Sequence, residues 1–170
     1  MKRKTTILLG LLFFSVCLRL NAQVSNKLSL YIFLSPECPL SQNYTKTLNE
    51  LNTQYRDKVV FTGIVPGKTY SSKEVKHFLG EYKVNFKVIR DKSKHLTEKL
   101  HGTVTPEVVL MDHNKTILYR GAIDDWAVSL GKKKISPTNP YLKNAIEQAL
   151  NGERVIVQST KPVGCLINDF

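Results

Sequence analysis

The chain has 170 residues, 42% hydrophobic and 23% charged, which is enough apolar material for one globular domain and too much for a disordered chain. Its formal net charge is +11, yet the lysines are scattered, with one short run at Lys132-Lys133-Lys134 and no basic stripe interleaved with aromatics, so nucleic acid is not expected as a partner. Three cysteines are too few for a disulfide-stapled scaffold.

Residues 1–22 fall into three zones: basic Lys2-Arg3-Lys4, an apolar run from Ile7 to Leu18, and Leu20-Asn21-Ala22. That is the layout of a secretory signal peptide cleaved after Ala22. The apolar run is about 12 residues, where a spanning helix needs about 20, so the mature chain is not expected to span a membrane. Val16 stands where lipoprotein processing before Cys17 wants a small residue. The expected location is periplasmic or otherwise extracytoplasmic. Cleavage removes Lys2, Arg3, Lys4 and Arg19 and no acid, which lowers the net charge from +11 to +7. Cys38 and Cys165 remain, in a compartment where one disulfide is possible.

Residues 28–34 form a short apolar run rich in strand formers, the pattern of a buried strand. Leu40, Tyr44, Leu48, Leu51 and Tyr55 then recur at helical spacing, and Pro39 suits the first helical position, which makes Cys38 the cap. Residues 59–65 predict a second buried strand. Ser71 and Glu74 fit a capping box, and Val75, Phe78, Leu79 and Tyr82 continue it as the apolar face of a second helix. Residues 86–90 read as a strand, and Leu96 and Leu100 mark a short helix. Residues 107–111 and 116–120, with a turn at 112–115, predict a hairpin. A loop at 121–137 precedes the last helix, capped by Asn139 with Pro140 in its first position and stopped at Gly152. The tail, 153–170, contains a strand-like Val155-Ile156-Val157 and is expected to pack on the domain formed by 23–152.

This order describes an α/β sandwich with a central mixed sheet flanked by helices, its early strands parallel because helices connect them. Ligand chemistry in such sheets concentrates at the carboxyl ends of the parallel strands, and Cys38 lies just past the first of these. A thiol at a helix N-terminus feels the positive end of the helix dipole and nearby unpaired N–H groups, both of which favour thiolate, the attacking form in disulfide exchange. Glu37 works the other way, since a neighbouring carboxylate disfavours a second anion.

The segment Phe33-Leu34-Ser35-Pro36-Glu37-Cys38-Pro39-Leu40-Ser41, the later Thr105-Pro106 and the strand order between them resemble the thioredoxin superfamily. The strand at 86–90, with Val88-Ile89-Arg90-Asp91, Thr105-Pro106-Glu107-Val108-Val109 and Tyr119-Arg120-Gly121-Ala122-Ile123-Asp124-Asp125, resembles redoxin-domain proteins, exported relatives of the alkyl hydroperoxide reductase and thiol-specific antioxidant group. The resemblance implies a thioredoxin-like fold with an inserted strand and helix and a C-terminal tail. It also implies a cis proline at Pro106 beside the reactive cysteine, where flanking backbone receives an extended substrate segment.

Two departures qualify it. Ser41 stands where thioredoxins carry the second, resolving cysteine; its hydroxyl can hydrogen-bond the thiolate but cannot form a disulfide. Peroxiredoxins share Ser35 and Cys38 at this spacing but carry a proline where this chain has Tyr31, so the peroxidase motif is incomplete. Cys165 is the remaining candidate for a resolving or disulfide partner. The 13 residues from Gly152 span roughly 43 Å when extended, against ~30 Å for a small domain, so the tail can return to Cys38 but need not. A Cys38–Cys165 pair and a free or intermolecular thiol both stay open.

The implied activity is that of a thiol–disulfide oxidoreductase acting on protein disulfide or thiol substrates, with Cys38 as nucleophile, Ser41 stabilising it, and Thr105 and Pro106 shaping the groove. The alternative is a redoxin-like binding module without turnover that docks an extracytoplasmic partner in metal or cytochrome handling. Copper held by Cys38 and Cys165 is a weaker version of it. No cofactor is expected, nor a metal site at His77, His95, His101 and His113. Asp124-Asp125-Trp126 could line the cleft or simply turn the chain.

Overall fold

A computed structural model describes residues 27–167. The expected signal segment, with Cys17, lies outside the described residues. Strand β1 (Leu28–Phe33) is central: it pairs in parallel with β2 (Val59–Pro66) and antiparallel with β5 (Glu107–Met111). Strand β3 (Lys87–Asp91) adds to β2 in parallel and β6 (Ile117–Gly121) to β5 antiparallel, giving the order β3-β2-β1-β5-β6. This is the mixed sheet expected from helical and hairpin connections.

Helix α1 (Pro39–Tyr55) buries Tyr44, Leu48, Leu51 and Tyr55 against the sheet, the stripe that the sequence spacing predicts. Each such apolar side chain contributes about 1.5–3 kcal/mol when fully buried. Helix α2 (Ser72–Glu81) starts on the expected capping box: Ser71 Oγ accepts from Glu74 N–H, and Glu74 Oε2 accepts from Ser71 N–H at 2.7 Å. A short α3 (His95–Lys99) leads to the two-residue strand β4 (Val104–Thr105), and α4 (Tyr141–Leu150) covers the sheet with Leu142, Ala145 and Ile146.

Three local expectations fail for identifiable reasons. Thr116 belongs to the turn, not to β6, because its N–H donates to Asp112 Oδ1. Asn139 does not cap the last helix, which begins at Tyr141; its side-chain amide donates to Asp125 Oδ2 instead. Residues 155–157 form no strand, and only Val155 of them is buried. The tail meets the sheet later: Thr160 N–H donates to Arg120 O, and Arg120 N–H to Gln158 O, both at 3.0 Å. It then crosses to β4, where β9 (Cys165–Leu166) pairs antiparallel, Thr105 opposite Cys165. Within the loop at 121–137, β7 (Ala127–Ser129) and β8 (Lys132–Lys133) form a small hairpin. Among the described residues no helix is long and apolar enough to cross a membrane.

Candidate active site

Strand β1 ends at Phe33, and the chain turns through Ser35 to Glu37 before Pro39 begins α1. Cys38 is therefore the capping residue, in extended conformation, its carbonyl accepting from Gln42 N–H. Its side chain is only 2% exposed. The thiol donates to Thr105 O at 3.0 Å. The Thr105–Pro106 peptide bond is cis. The tail brings the thiol of Cys165 against that of Cys38, and both are unbonded thiols.

The two thiols are driven apart in acidity. Burial pushes the Cys38 thiol up, but hydrogen bonds from the Cys165 thiol and from the backbone N–H groups of Ser41, Cys165 and Leu40 outweigh it, leaving Cys38 below the ordinary thiol value. The bond to Thr105 O is the contact that favours the protonated form. Cys165 moves up, through burial first and then through its hydrogen bond and charge interaction with Cys38. Cys38 is thus the more readily ionised thiol of the pair and Cys165 the less.

Ser41 is fully buried, but its hydroxyl accepts from Ser35 N–H at 3.2 Å. Its backbone, not its hydroxyl, serves the sulfur, while the hydroxyl fixes the turn that presents Cys38. Glu37 turns its carboxylate to the Tyr70 hydroxyl at 3.5 Å. Tyr70 also accepts from Ser35 Oγ at 2.9 Å and stands where two clefts meet. One, of about 260 Å³, is lined by Ser35, Thr105, Cys165 and Leu166; the other, of about 430 Å³, runs along Pro36, Glu37 and α2.

Sequence reasoning missed Tyr70, which lies in a loop without a motif, and Glu107. The latter carried a signal, since a carboxylate inside an apolar strand needs partners. Glu107 is 2% exposed and accepts from Thr103 N–H at 2.7 Å and Thr103 Oγ1 at 2.8 Å, and pairs with Arg120 at 3.4 Å. Arg120 also reaches the carbonyls of Leu100 and His101. This cluster fixes the loop that carries Thr105. Asp124 and Asp125 brace the loop after β6: Tyr44 donates to Asp124 Oδ1 at 2.5 Å, and Asp125 holds Lys134, Thr138 and Asn139. Neither lines the cleft beside Thr105 and Cys165; both line a separate one along Lys161 to Gly164. Among the described residues, no three His, Cys, Asp or Glu gather as a metal site.

The acidity of Cys38 has a direct readout. In the fully reduced protein, its iodoacetamide alkylation should reach half its maximal rate at a lower pH than that of the same thiol in the urea-unfolded chain. A midpoint at or above that of the unfolded chain would show that burial prevails over the N–H donors.

No protein-family model matches the chain. No curated protein matches it either. Among solved structures, a hypothetical protein from Sinorhizobium meliloti is similar at TM-score 0.75 and 21% identity, covering 85% of this chain and 80% of that one. An uncharacterized conserved protein from Geobacillus kaustophilus gives 0.75 at 20% identity, over 85% and 78%. The thioredoxin domain of a thiol-disulfide oxidoreductase from Bacteroides vulgatus gives 0.56 at 17% identity, over 75% and 82%. With its mixed five-stranded sheet, its cysteine at the β1–α1 junction and the cis Thr105–Pro106 bond beside it, the chain has the thioredoxin-like fold.

Proposed function

We propose that the chain is a thiol–disulfide oxidoreductase that uses Cys38 as nucleophile and Cys165 as resolving thiol. The observation that carries this reading is the contact of the two thiols beside Thr105, with their acidities driven in opposite directions. The Cys38 thiolate attacks one sulfur of a substrate disulfide, forms a mixed disulfide and expels the other sulfur as thiolate, which takes a proton. Cys165, once deprotonated, attacks the Cys38 sulfur, forms the Cys38–Cys165 bond and releases the second substrate thiol. The substrate gains two electrons and the protein loses two. An external dithiol restores the pair by the same exchange; run backward, the Cys38–Cys165 disulfide takes two electrons from a dithiol partner and leaves that partner as a disulfide.

The resemblance to redoxin-domain relatives supports thiol chemistry, while Tyr31 in the position of their proline gives no support to peroxidase activity. The signal-peptide layout of residues 1–22 supports action outside the cytoplasm, where such bonds persist. The test is stoichiometry. Reduced protein mixed with excess peptide disulfide should release one peptide dithiol per chain in a burst and then stop until a dithiol donor is added. No burst, together with co-purification of a single partner, would favour the non-turnover docking module.

A further inference from the structure

Strand β4 is two residues long, and its ladder partner is the tail strand β9: Val104 faces Leu166 and Thr105 faces Cys165, with Ile167 N–H donating to Thr103 O at 3.0 Å. Without the tail, this backbone would be an open edge beside the Cys38 sulfur, the kind that an extended chain adds to. With the tail in place, Cys38 is 2% exposed and its thiol meets the Cys165 thiol. The covering is slight: Leu166 is 73% exposed, and the pairing is two residues long. Thr160 is the firm anchor behind it, its Oγ1 bonded to Ala122 N–H at 2.9 Å and to the Tyr119 hydroxyl at 2.7 Å. Gly164 packs so closely on Thr105 that a Cβ there would lie 2.4 Å from Thr105 O.

We propose that the tail from Lys161 to Leu166 is a displaceable strap occupying the Val104–Thr105 edge as an internal stand-in for a partner segment, and that the edge selects an extended segment with glycine immediately before its cysteine. The proposal rests on Cys38 as the reacting thiol. Partner docking and strap release are then one strand exchange, since both use the same backbone groups. The selectivity follows from the contact at Gly164: any side chain in that register meets the Thr105 carbonyl. The cleft beside it, lined by Ser35, Thr69 and Tyr70, has no charged side chain and offers hydroxyl groups to a neighbouring residue.

Two measurements on the reduced full chain test this. The first is the ratio of Cys38 alkylation rates for a bulky maleimide and for iodoacetamide, in wild type and in Gly164→Ala; the ratio cancels any change in thiolate fraction. It should rise at least tenfold in the variant, and an unchanged ratio would show that the strap is not the barrier. Should Gly164→Ala not fold, hydrogen exchange of the wild type decides the same point. The Ile167 amide should exchange at least a hundredfold faster than amides of the β1–β5 ladder, and equal protection would overturn the proposal. The second uses Cys165→Ser and activated disulfides of the peptides Val-Gly-Cys-Leu and Val-Ala-Cys-Leu. The glycine peptide should couple to Cys38 at least tenfold faster, and equal rates would overturn the proposed edge. Failure of Cys38 to couple even to cystamine would instead sink the oxidoreductase reading, while the alkylation ratio would still report the strap.

Discussion

Cys38→Ser is expected to lower the rate of disulfide exchange at least about a thousandfold, the scale on which loss of an enzyme nucleophile acts. A serine hydroxyl at this position stays protonated at neutral pH, so the N–H groups of Ser41 and Leu40 have no anion to stabilise. Cys165→Ser should behave differently. The first attack remains, but the mixed disulfide has no internal thiol to resolve it, so protein should accumulate covalently joined to substrate, detected as a mass adduct on Cys38. In Cys165→Ala, which has no side-chain donor, losing the hydrogen bond from position 165 should also raise the Cys38 thiol and move its alkylation profile to higher pH. Equal turnover in wild type and Cys165→Ser would remove Cys165 from the cycle.

Glu107→Ala should cost about 3–5 kcal/mol of stability, the penalty for breaking a buried ion pair from one side. The variant leaves the Thr103 N–H without its carboxylate and Arg120, whose side chain is 24% exposed, without its counter-charge. Against a total of about 5–15 kcal/mol, that is about a fifth or more of the fold's margin. Arg120 keeps the carbonyls of Leu100 and His101, which holds the loss toward the lower end. Glu107→Gln retains an acceptor oxygen and should lose less. Urea melts of the reduced proteins separate the two, and a loss under about 1 kcal/mol for Glu107→Ala would mean that water replaces the carboxylate.

The fold was legible wherever local pattern and tertiary context agree. The stripe from Tyr44 to Tyr55 is a helix face in both, and the Ser71–Glu74 box closes as its spacing implies. Cys38 at the start of a proline-led helix was legible for the same reason. The rest depends on contacts between distant segments. Asn139 is a good cap in isolation, but Asp125 claims its side chain. Val155-Ile156-Val157 has strand propensity, but the tail joins the sheet only at Ser159. The return of Cys165 follows from Thr160 bonding to β6 and from Gly164 fitting against Thr105, neither of which has a periodic signature. Ser41 meets the sulfur through its backbone N–H and not through the hydroxyl that the sequence suggests, because which atom of a residue faces a sulfur is set by the turn from Ser35.

If Cys38 and Cys165 form one redox pair, non-reducing peptide mapping after reaction of the reduced chain with a peptide disulfide should recover a single linked peptide pair joining Cys38 to Cys165, absent after dithiol treatment. Recovery of the two cysteines in separate, freely alkylated peptides would rule the pair out.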